Sequence, residues 1–250
     1  MTGAFWTLLK RELGAVLSLP LAYVIYMIFY FVIGFSFLFC TMKMAEGVLG
    51  ITVMQIFFMF FYYWFVVILL IPILTMRLFS EEYRSGTFEL LMTAPVTEWD
   101  VVLAKFFGVA IFWVLLWLPT LSYVFIYQWL TQYQTYVDWG ALILSYGMTF
   151  LLGWFYISIG LFASSLARNQ IVAAFTSFAV IALIFFSGFM AFTKFGREYE
   201  EQVGLVSAIK HMQVFGTGTF DSRPVVLYLS GTMLFLFLTY MILSYRKLKS

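Results

Sequence analysis

Charged side chains gather in one short stretch of a chain that is otherwise apolar. Only 10% of the 250 residues are charged, and the segment SEEYRSGTFELLMTAPVTEWD (80–100) contains six of them. They are Glu81, Glu82, Arg84, Glu89, Glu98 and Asp100. Carboxylates and a guanidinium this close together can recognise a charged partner surface, or they can form a solvated face. What the segment does therefore depends on the elements that hold it.

The rest of the chain lacks the groups that catalysis or metal binding requires. Cys40 is the single cysteine and lies in an apolar run, which excludes an internal disulfide and a thiolate metal cluster. His211 is the single histidine, and we expect an exposed or interfacial side chain rather than a ligand. The phosphate-binding pattern G-x-x-x-x-G-K-[ST] is also missing. We therefore expect no enzyme activity and no bound cofactor or metal, so any energy must come from another subunit.

Local signals divide the charged segment into two short helical pieces. The first continues the preceding apolar helix through Arg84 and ends at Ser85-Gly86. The second begins with Thr87 as its cap and ends before Pro95. A helix of two turns is marginal in water, so it must pack against something to be stable. A solvated loop on the lipid headgroups is the alternative.

Long apolar runs place the chain in a membrane. Hydrophobic residues make up 64% of the sequence, too many for a water-soluble protein of this length. A helix needs roughly 20 apolar residues to cross the hydrocarbon core, whereas barrel strands are shorter and alternating. We predict an all-α polytopic membrane protein with one transmembrane domain (20–250). Its six spans lie near 20–42, 51–76, 101–130, 139–166, 171–192 and 224–245.

The first 19 residues are predicted to form an amphipathic helix along the membrane surface. Leu9 and Leu13 recur with other apolar residues at helical spacing, while Lys10 and Arg11 fall elsewhere around the helix. A slightly extended first span is the alternative.

The distribution of basic residues favours one orientation. With the N-terminus in the cytoplasm, nine of the 14 lysines and arginines fall inside and five outside. Both termini and the charged segment then face the cytoplasm, and residues 193–223 face the other side. The net charge of +2 is small, and the basic residues are scattered rather than clustered. Both observations argue against nucleic-acid binding.

Three regions share motifs with a known family. Glu82, Gly86, Thr87-Phe88-Glu89-Leu90-Leu91 and Pro95 fit the pattern E-x-x-x-G-T-x-E-x-L-x-x-x-P. This pattern resembles the cytoplasmic loop of ABC-2 type permeases, the membrane subunits of a class of ATP-binding-cassette exporters. KREL (10–13) before PLAY (20–23) resembles their connecting helix and first-span entry. Residues 207–230 resemble the small permeases of bacterial gliding-motility transporters.

The resemblance implies a type V exporter-like six-helix transmembrane domain with an N-terminal amphipathic connecting helix. It also implies a coupling helix, about 87–95, in a groove of a separate ATPase subunit that uses ATP and magnesium. The residues assigned to this contact are Glu82, Gly86, Thr87, Phe88, Glu89, Leu90, Leu91 and Pro95. Phe88 and the two leucines would supply apolar contact, while Glu82 and Glu89 would face basic residues of the ATPase. Gly86 would permit the tight turn.

The resemblance further implies a second permease copy, identical or paralogous, with spans two and five lining the path between copies. The aromatic residues assigned to this path are Phe57, Phe61, Phe175 and Phe178. Contact with lipid or neighbouring helices is the alternative for each of them. Small residues in the fourth span, including Gly153, Gly160 and Ser164, favour packing within the chain over a dimer seam.

The resemblance also implies that the segment 193–223 is re-entrant and gates the exit of the transport path. A plain loop and a periplasmic docking surface are the alternatives. The resemblance implies an exporter permease in the bacterial inner membrane, and the basic residues favour cytoplasmic termini. The gliding-type resemblance adds a possible auxiliary membrane subunit with a periplasmic domain. The alternative function is a non-transporting module that transmits ATPase motion to a periplasmic partner. An intramembrane enzyme is disfavoured because catalytic groups are missing.

Overall fold

The described residues form a bundle of helices. The computed structural model describes residues 2–18, 20–45, 53–88, 96–132, 137–189 and 204–247. The α-helices in these ranges are α1 (Thr2–Ser18), α2 (Pro20–Ala45), α3 (Val53–Met59), α4 (Phe61–Thr75), α5 (Ser80–Ser85), α6 (Glu98–Trp117), α7 (Ser122–Leu130), α8 (Trp139–Leu166), α9 (Gln170–Phe189), α10 (Ala208–Gly216) and α11 (Ser222–Lys247). A 3₁₀ segment, Leu118–Leu121, joins α6 to α7.

Within the described ranges, six segments are long and apolar enough to cross a membrane, which agrees with the predicted all-α fold with six spans. They are Ala22–Lys43, Phe61–Ser85, Glu98–Leu130, Trp139–Leu166, Gln170–Gly188 and Ser222–Lys247.

The second apolar run differs most from its predicted bounds of 51–76. The backbone of Phe60 is extended, with φ −63° and ψ 142°, so α3 and α4 are separate helices. In the third span, Pro119 lies in the 3₁₀ segment that separates α6 from α7. A proline lacks the N–H that a continuous helix would use, which accounts for the interruption there.

Helix starts follow local sequence signals. The Thr97 side chain accepts a hydrogen bond from the N–H of Asp100, whose carboxylate accepts one from the N–H of Thr97. These two reciprocal hydrogen bonds form a capping box at the start of the third span. Asp138 caps α8 by accepting hydrogen bonds from the N–H groups of Gly140 and Ala141.

Helix α8 lies at the centre of the bundle and packs against α4, α6, α9, α10 and α11. Small residues make these close contacts possible. A side-chain carbon at Gly153 would overlap the indole of Trp113, and one at Gly160 would overlap the side chain of Thr75. The small-residue face of the fourth span is thus used for packing within the chain, as expected.

Ser164, on the same face of α8, holds the turn between α4 and α5. Its Oγ accepts hydrogen bonds from the N–H groups of Phe79 (3.0 Å) and Ser80 (3.2 Å). The same hydroxyl donates to the carbonyl of Met76 at 3.1 Å. The end of the second span is therefore fastened to the central helix.

Helix α1 packs mainly along α6 and touches α2 much less, so it does not act as an extension of the first span. The two helices approach closely at Gly108, where an added side-chain carbon would lie 3.1 Å from Cβ of Glu12. Leu9 is buried while Trp6 is exposed, which gives α1 one face against the protein and one face outward.

Candidate functional site

Elements that are distant in sequence bring charged residues together at one end of the bundle. We call this region the charged end; it consists of α1, α5, the first two turns of α6 and the last turn of α11. Ion pairs link α1, α5 and α6 to one another, and another joins α11 to α6. The charged segment of the sequence therefore lies against the rest of the protein over its described part.

The centre of the charged end is a buried lysine. Lys105 is 3% exposed, and its Nζ lies 2.7 Å from Oε1 of Glu82 and 3.3 Å from Oε1 of Glu12. A guanidinium nitrogen of Arg11 lies 2.7 Å from Glu12 and 3.8 Å from Glu82. We call these four residues the Lys105 cluster. Two cations face two carboxylates, so the cost of burying the ammonium is offset by close partners on two other helices.

The position of Glu82 differs from the expectation that it faces basic residues of an ATPase. Its carboxylate points inward and accepts the shorter of the two hydrogen bonds that the buried ammonium of Lys105 donates to the carboxylates of the cluster. The pairing of Lys105 with Glu12 and Glu82 was not predicted from the sequence. The signal was available, since a lysine two turns inside a span needs a carboxylate partner.

The turn predicted at Gly86 is present. Helix α5 ends at Ser85, and Gly86 follows with φ 72°, a left-handed conformation that glycine adopts without strain. Gly86 and Thr87 are exposed. Phe88 is half-buried, with its ring centroid 4.6 Å from that of Tyr83. The assigned contacts Glu89, Leu90, Leu91 and Pro95, and most of the predicted coupling helix 87–95, lie outside the described residues.

The last turn of α11 lies beside Tyr83 and the start of α6. The guanidinium carbon of Arg246 lies 4.3 Å from the ring centroid of Tyr83, so this tyrosine contacts Phe88 and Arg246. Lys247 Nζ lies 2.6 Å from Oε1 of Glu98. The described ends of α5, α6 and α11 therefore meet beside the exposed turn.

The aromatic residues assigned to a path between copies separate into two groups. Phe61, Phe175 and Phe178 are exposed on the single chain. Phe57 is only 4% exposed and packs edge-on against Phe58, with centroids 5.1 Å apart. Its inclusion in the path is not supported by this geometry, because the break at Phe60 sends α3 into contact with α2 and α10.

The expectation that His211 is exposed or interfacial is wrong. The residue is 7% exposed, and its Nδ1 lies 2.9 Å from the hydroxyl of Tyr228. Helix α10 turns its apolar face, with Met212 and Phe215, onto the bundle, and His211 lies on that face. Burial lowers the pKa of His211, although Asp221 acts in the opposite direction. We call the region around this pair the opposite end.

The described residues contain no group of three or more His, Cys, Asp or Glu side chains placed to hold a metal ion. The charged side chains described at the charged end form ion pairs within the chain.

Comparison with known proteins identifies a family for the chain. A search of curated proteins finds no match to the chain. A family model described as ABC-2 family transporter protein matches residues 48–246, from just before α3 to the last turn of α11. The match covers most of the 250 residues and includes the charged segment, five of the six spans and the turn at Gly86. The chain therefore belongs to the ABC-2 transporter family.

Proposed function

We propose that the chain is the permease subunit of an ATP-binding-cassette exporter and that a separate ATPase subunit docks at its charged end. Membership of the ABC-2 family supports a transporter component that works with such an ATPase. One observation carries the docking proposal: α5 leads directly into the exposed turn at Gly86 and Thr87 and is anchored internally through Glu82.

In this proposal the internal contacts carry movement from the docking segment into the membrane. A force on residues 87–95 would act on α5, whose Glu82 is paired with Lys105 of α6. Ser164 ties the preceding turn to α8, so three spans would respond together. Glu82 then acts by positioning α5, while Thr87, Phe88, Glu89, Leu90, Leu91 and Pro95 would form the ATPase contact.

The exposed aromatic faces of α4 and α9 support a second copy as a further partner. Phe61 is 71% exposed and Phe175 is 70% exposed in the single chain. Large apolar surfaces of this kind are covered in a membrane protein by lipid or by another subunit. We propose that an identical or paralogous copy packs there and that Phe61, Phe175 and Phe178 line the path between the copies.

The proposed setting is the bacterial inner membrane with the charged end in the cytoplasm. The end of α11 and helix α1 lie at this end, which agrees with the majority of basic residues being cytoplasmic. Residues 204–223 then lie on the external side. The resemblance of residues 207–230 to gliding-motility permeases motivates the proposal of an auxiliary subunit with a periplasmic domain.

The orientation can be tested by cysteine labelling, because Cys40 is buried and gives little background. Thr87→Cys should react with a membrane-impermeant maleimide only in inverted vesicles, whereas Thr219→Cys, exposed at the other end, should react only in right-side-out vesicles. Reaction of Thr87→Cys from the outside would overturn the proposal.

Coupling can be tested in the full complex with the ATPase that copurifies with this chain. Phe88→Ala should leave the protein inserted but reduce transport per ATP hydrolysed, since it removes an apolar contact beside the exposed turn. Phe220→Ala, an exposed aromatic near the opposite end, is the matched control. Equal coupling in both variants would contradict the docking assignment.

Tight coupling of hydrolysis to movement of a periplasmic partner, without substrate movement, would favour the non-transporting alternative.

A further inference from the structure

A cavity of about 740 Å³ lies where α1 meets the bundle at the charged end. Residues of α1, α2, α4, α5 and α6 line it, together with the turn that follows α4. Its volume is within the range of pockets that hold small molecules. The lining has a polar part and an apolar part, and the residues that matter here are Arg11, Arg77, Glu81, Glu82, Ile73 and Leu74.

Among the described residues, the polar part contains a cation without an ion-pair partner and a carboxylate oxygen without a hydrogen-bond donor. The guanidinium of Arg77 donates through Nε to the neutral amide oxygen of Gln170 at 3.2 Å, and it forms no ion pair with another described residue. Oε2 of Glu82 is buried and accepts no hydrogen bond from any described residue. A buried carboxylate oxygen without a donor is costly, so a ligand that supplies an N–H group there would be favoured.

The overall charge of the lining indicates what kind of ligand fits. Three basic residues (Arg11, Arg77 and Lys105) and three acidic residues (Glu12, Glu81 and Glu82) surround the cavity, which gives a formal net charge of zero. Such a lining favours a ligand that carries both signs over an anion or a cation.

The apolar part indicates that the ligand has a hydrocarbon portion. Ile73 and Leu74 follow Pro72 in the last turn of α4, and Ile73 is 38% exposed. Arg77 comes one turn later along the same candidate span and is the first charged residue in it. The order of apolar and charged residues along this span is therefore the order of acyl chain and headgroup in a lipid leaflet.

We propose that this cavity binds a zwitterionic phospholipid whose headgroup carries a phosphate and a primary ammonium. The phosphate lies against Arg77 and Arg11, and the ammonium donates hydrogen bonds to Glu81 and to Oε2 of Glu82. The acyl chains lie along Ile73 and Leu74. A choline headgroup has no N–H to donate, and a glycerol headgroup leaves the lipid with a net negative charge, so both fit less well.

Native mass spectrometry of the full-length chain in a non-ionic detergent tests this proposal. Phosphatidylethanolamine, phosphatidylcholine and phosphatidylglycerol with the same acyl chains are titrated separately, and the first bound lipid is quantified. Phosphatidylethanolamine should bind roughly tenfold more tightly than the other two, because it alone makes the charge-assisted hydrogen bonds to the glutamates. Free phosphoethanolamine, the same headgroup without chains, should bind much more weakly than the lipid.

Variants of the lining residues identify the site. Arg77→Gln and Glu81→Gln should each weaken binding of phosphatidylethanolamine roughly tenfold, whereas Arg77→Lys should retain most of it. Arg223→Gln, an exposed basic residue near the opposite end, is the control and should bind as the wild type does.

Three results would overturn the proposal. Equal affinity for the three lipids would mean nonspecific annular binding, and tightest binding of phosphatidylglycerol would mean an anionic-lipid site. Equal binding of free phosphoethanolamine would mean a headgroup site without a role for the membrane. These measurements need no ATPase, so their failure would leave the proposed transport function intact.

Discussion

The two ends of the bundle bury polar groups by different means. At the charged end, Lys105 is held between carboxylates from α1 and α5, so one side chain joins three helices. At the opposite end, His211 and Tyr228 share a single hydrogen bond that joins α10 to α11. Charged groups cost more to bury and more to leave unpaired than neutral ones. Removal of one charged partner at the end proposed to receive force from an ATPase should therefore cost more than removal of one neutral partner at the opposite end.

The largest effect in this comparison of the two ends is expected for Lys105→Met. The substitution removes the buried cation and leaves Glu12 and Glu82 with only the exposed guanidinium of Arg11 nearby, so we expect a loss of about 3 kcal/mol in the free energy of unfolding. Reversible denaturation in detergent measures this loss. The coupling of transport to ATP hydrolysis in the complex should fall as well, because α5 is no longer fixed to α6.

A combined variant distinguishes the effect of unpaired charge from the effect of altered packing on the stability of Lys105→Met. Glu12→Gln, Glu82→Gln and Lys105→Met together remove every charge that the lysine pairs with, so much of the lost stability should return. If the triple variant were as unstable as Lys105→Met alone, packing rather than unpaired charge would explain the loss.

At the opposite end, Tyr228→Phe should cost less, about 1–2 kcal/mol. The change removes one neutral hydrogen bond and leaves Nδ1 of His211 buried without its partner. The same denaturation assay measures it, and coupling should be unchanged. Loss of coupling equal to that of Lys105→Met would show that the two ends do not differ in function.

A pH titration sharpens the comparison further. Because burial lowers the pKa of His211, the folded state favours the neutral ring, while the unfolded chain takes up a proton near pH 6.5. This contribution to stability is complete above that pH and is lost as the pH falls below it. The melting temperature of the wild type should therefore drop more on acidification than that of His211→Gln. Parallel curves would show that His211 does not titrate in this way.

The smallest effect is expected at the surface of the charged end. Lys247 and Glu98 form a partly exposed pair, so Lys247→Met should change stability by about 0.2–1 kcal/mol. Added salt should reduce the difference between variant and wild type, since exposed pairs are screened. A loss as large as that of Lys105→Met would contradict the distinction between buried and exposed pairs.

Features encoded in continuous stretches of sequence were predictable. Runs of apolar residues are enough to predict six helical spans, and the Thr97 to Asp100 spacing predicts the start of α6. Gly86 marks the turn because few other residues adopt its backbone conformation. Each of these signals depends on neighbours within a few positions.

Features that depend on distant contacts were not predictable in the same way. Glu12 and Lys105 are separated by 93 positions, and only packing of α1 along α6 brings them together. The break at Phe60 lies inside an apolar run with no proline or glycine to mark it. His211 is buried because α10 packs on α3 and α8, which the short pattern of that helix did not reveal.

The close approach of Gly160 to Thr75 has a consequence for how related sequences diverge. The Thr75 hydroxyl already donates to the carbonyl of Ile71 at 2.9 Å, so the side chain has little freedom to move aside. A homologue with alanine or serine in place of Gly160 would need a smaller residue at the position of Thr75. The two positions should accordingly covary, and an alignment deep enough to measure covariation would detect the contact between α4 and α8 without a structure.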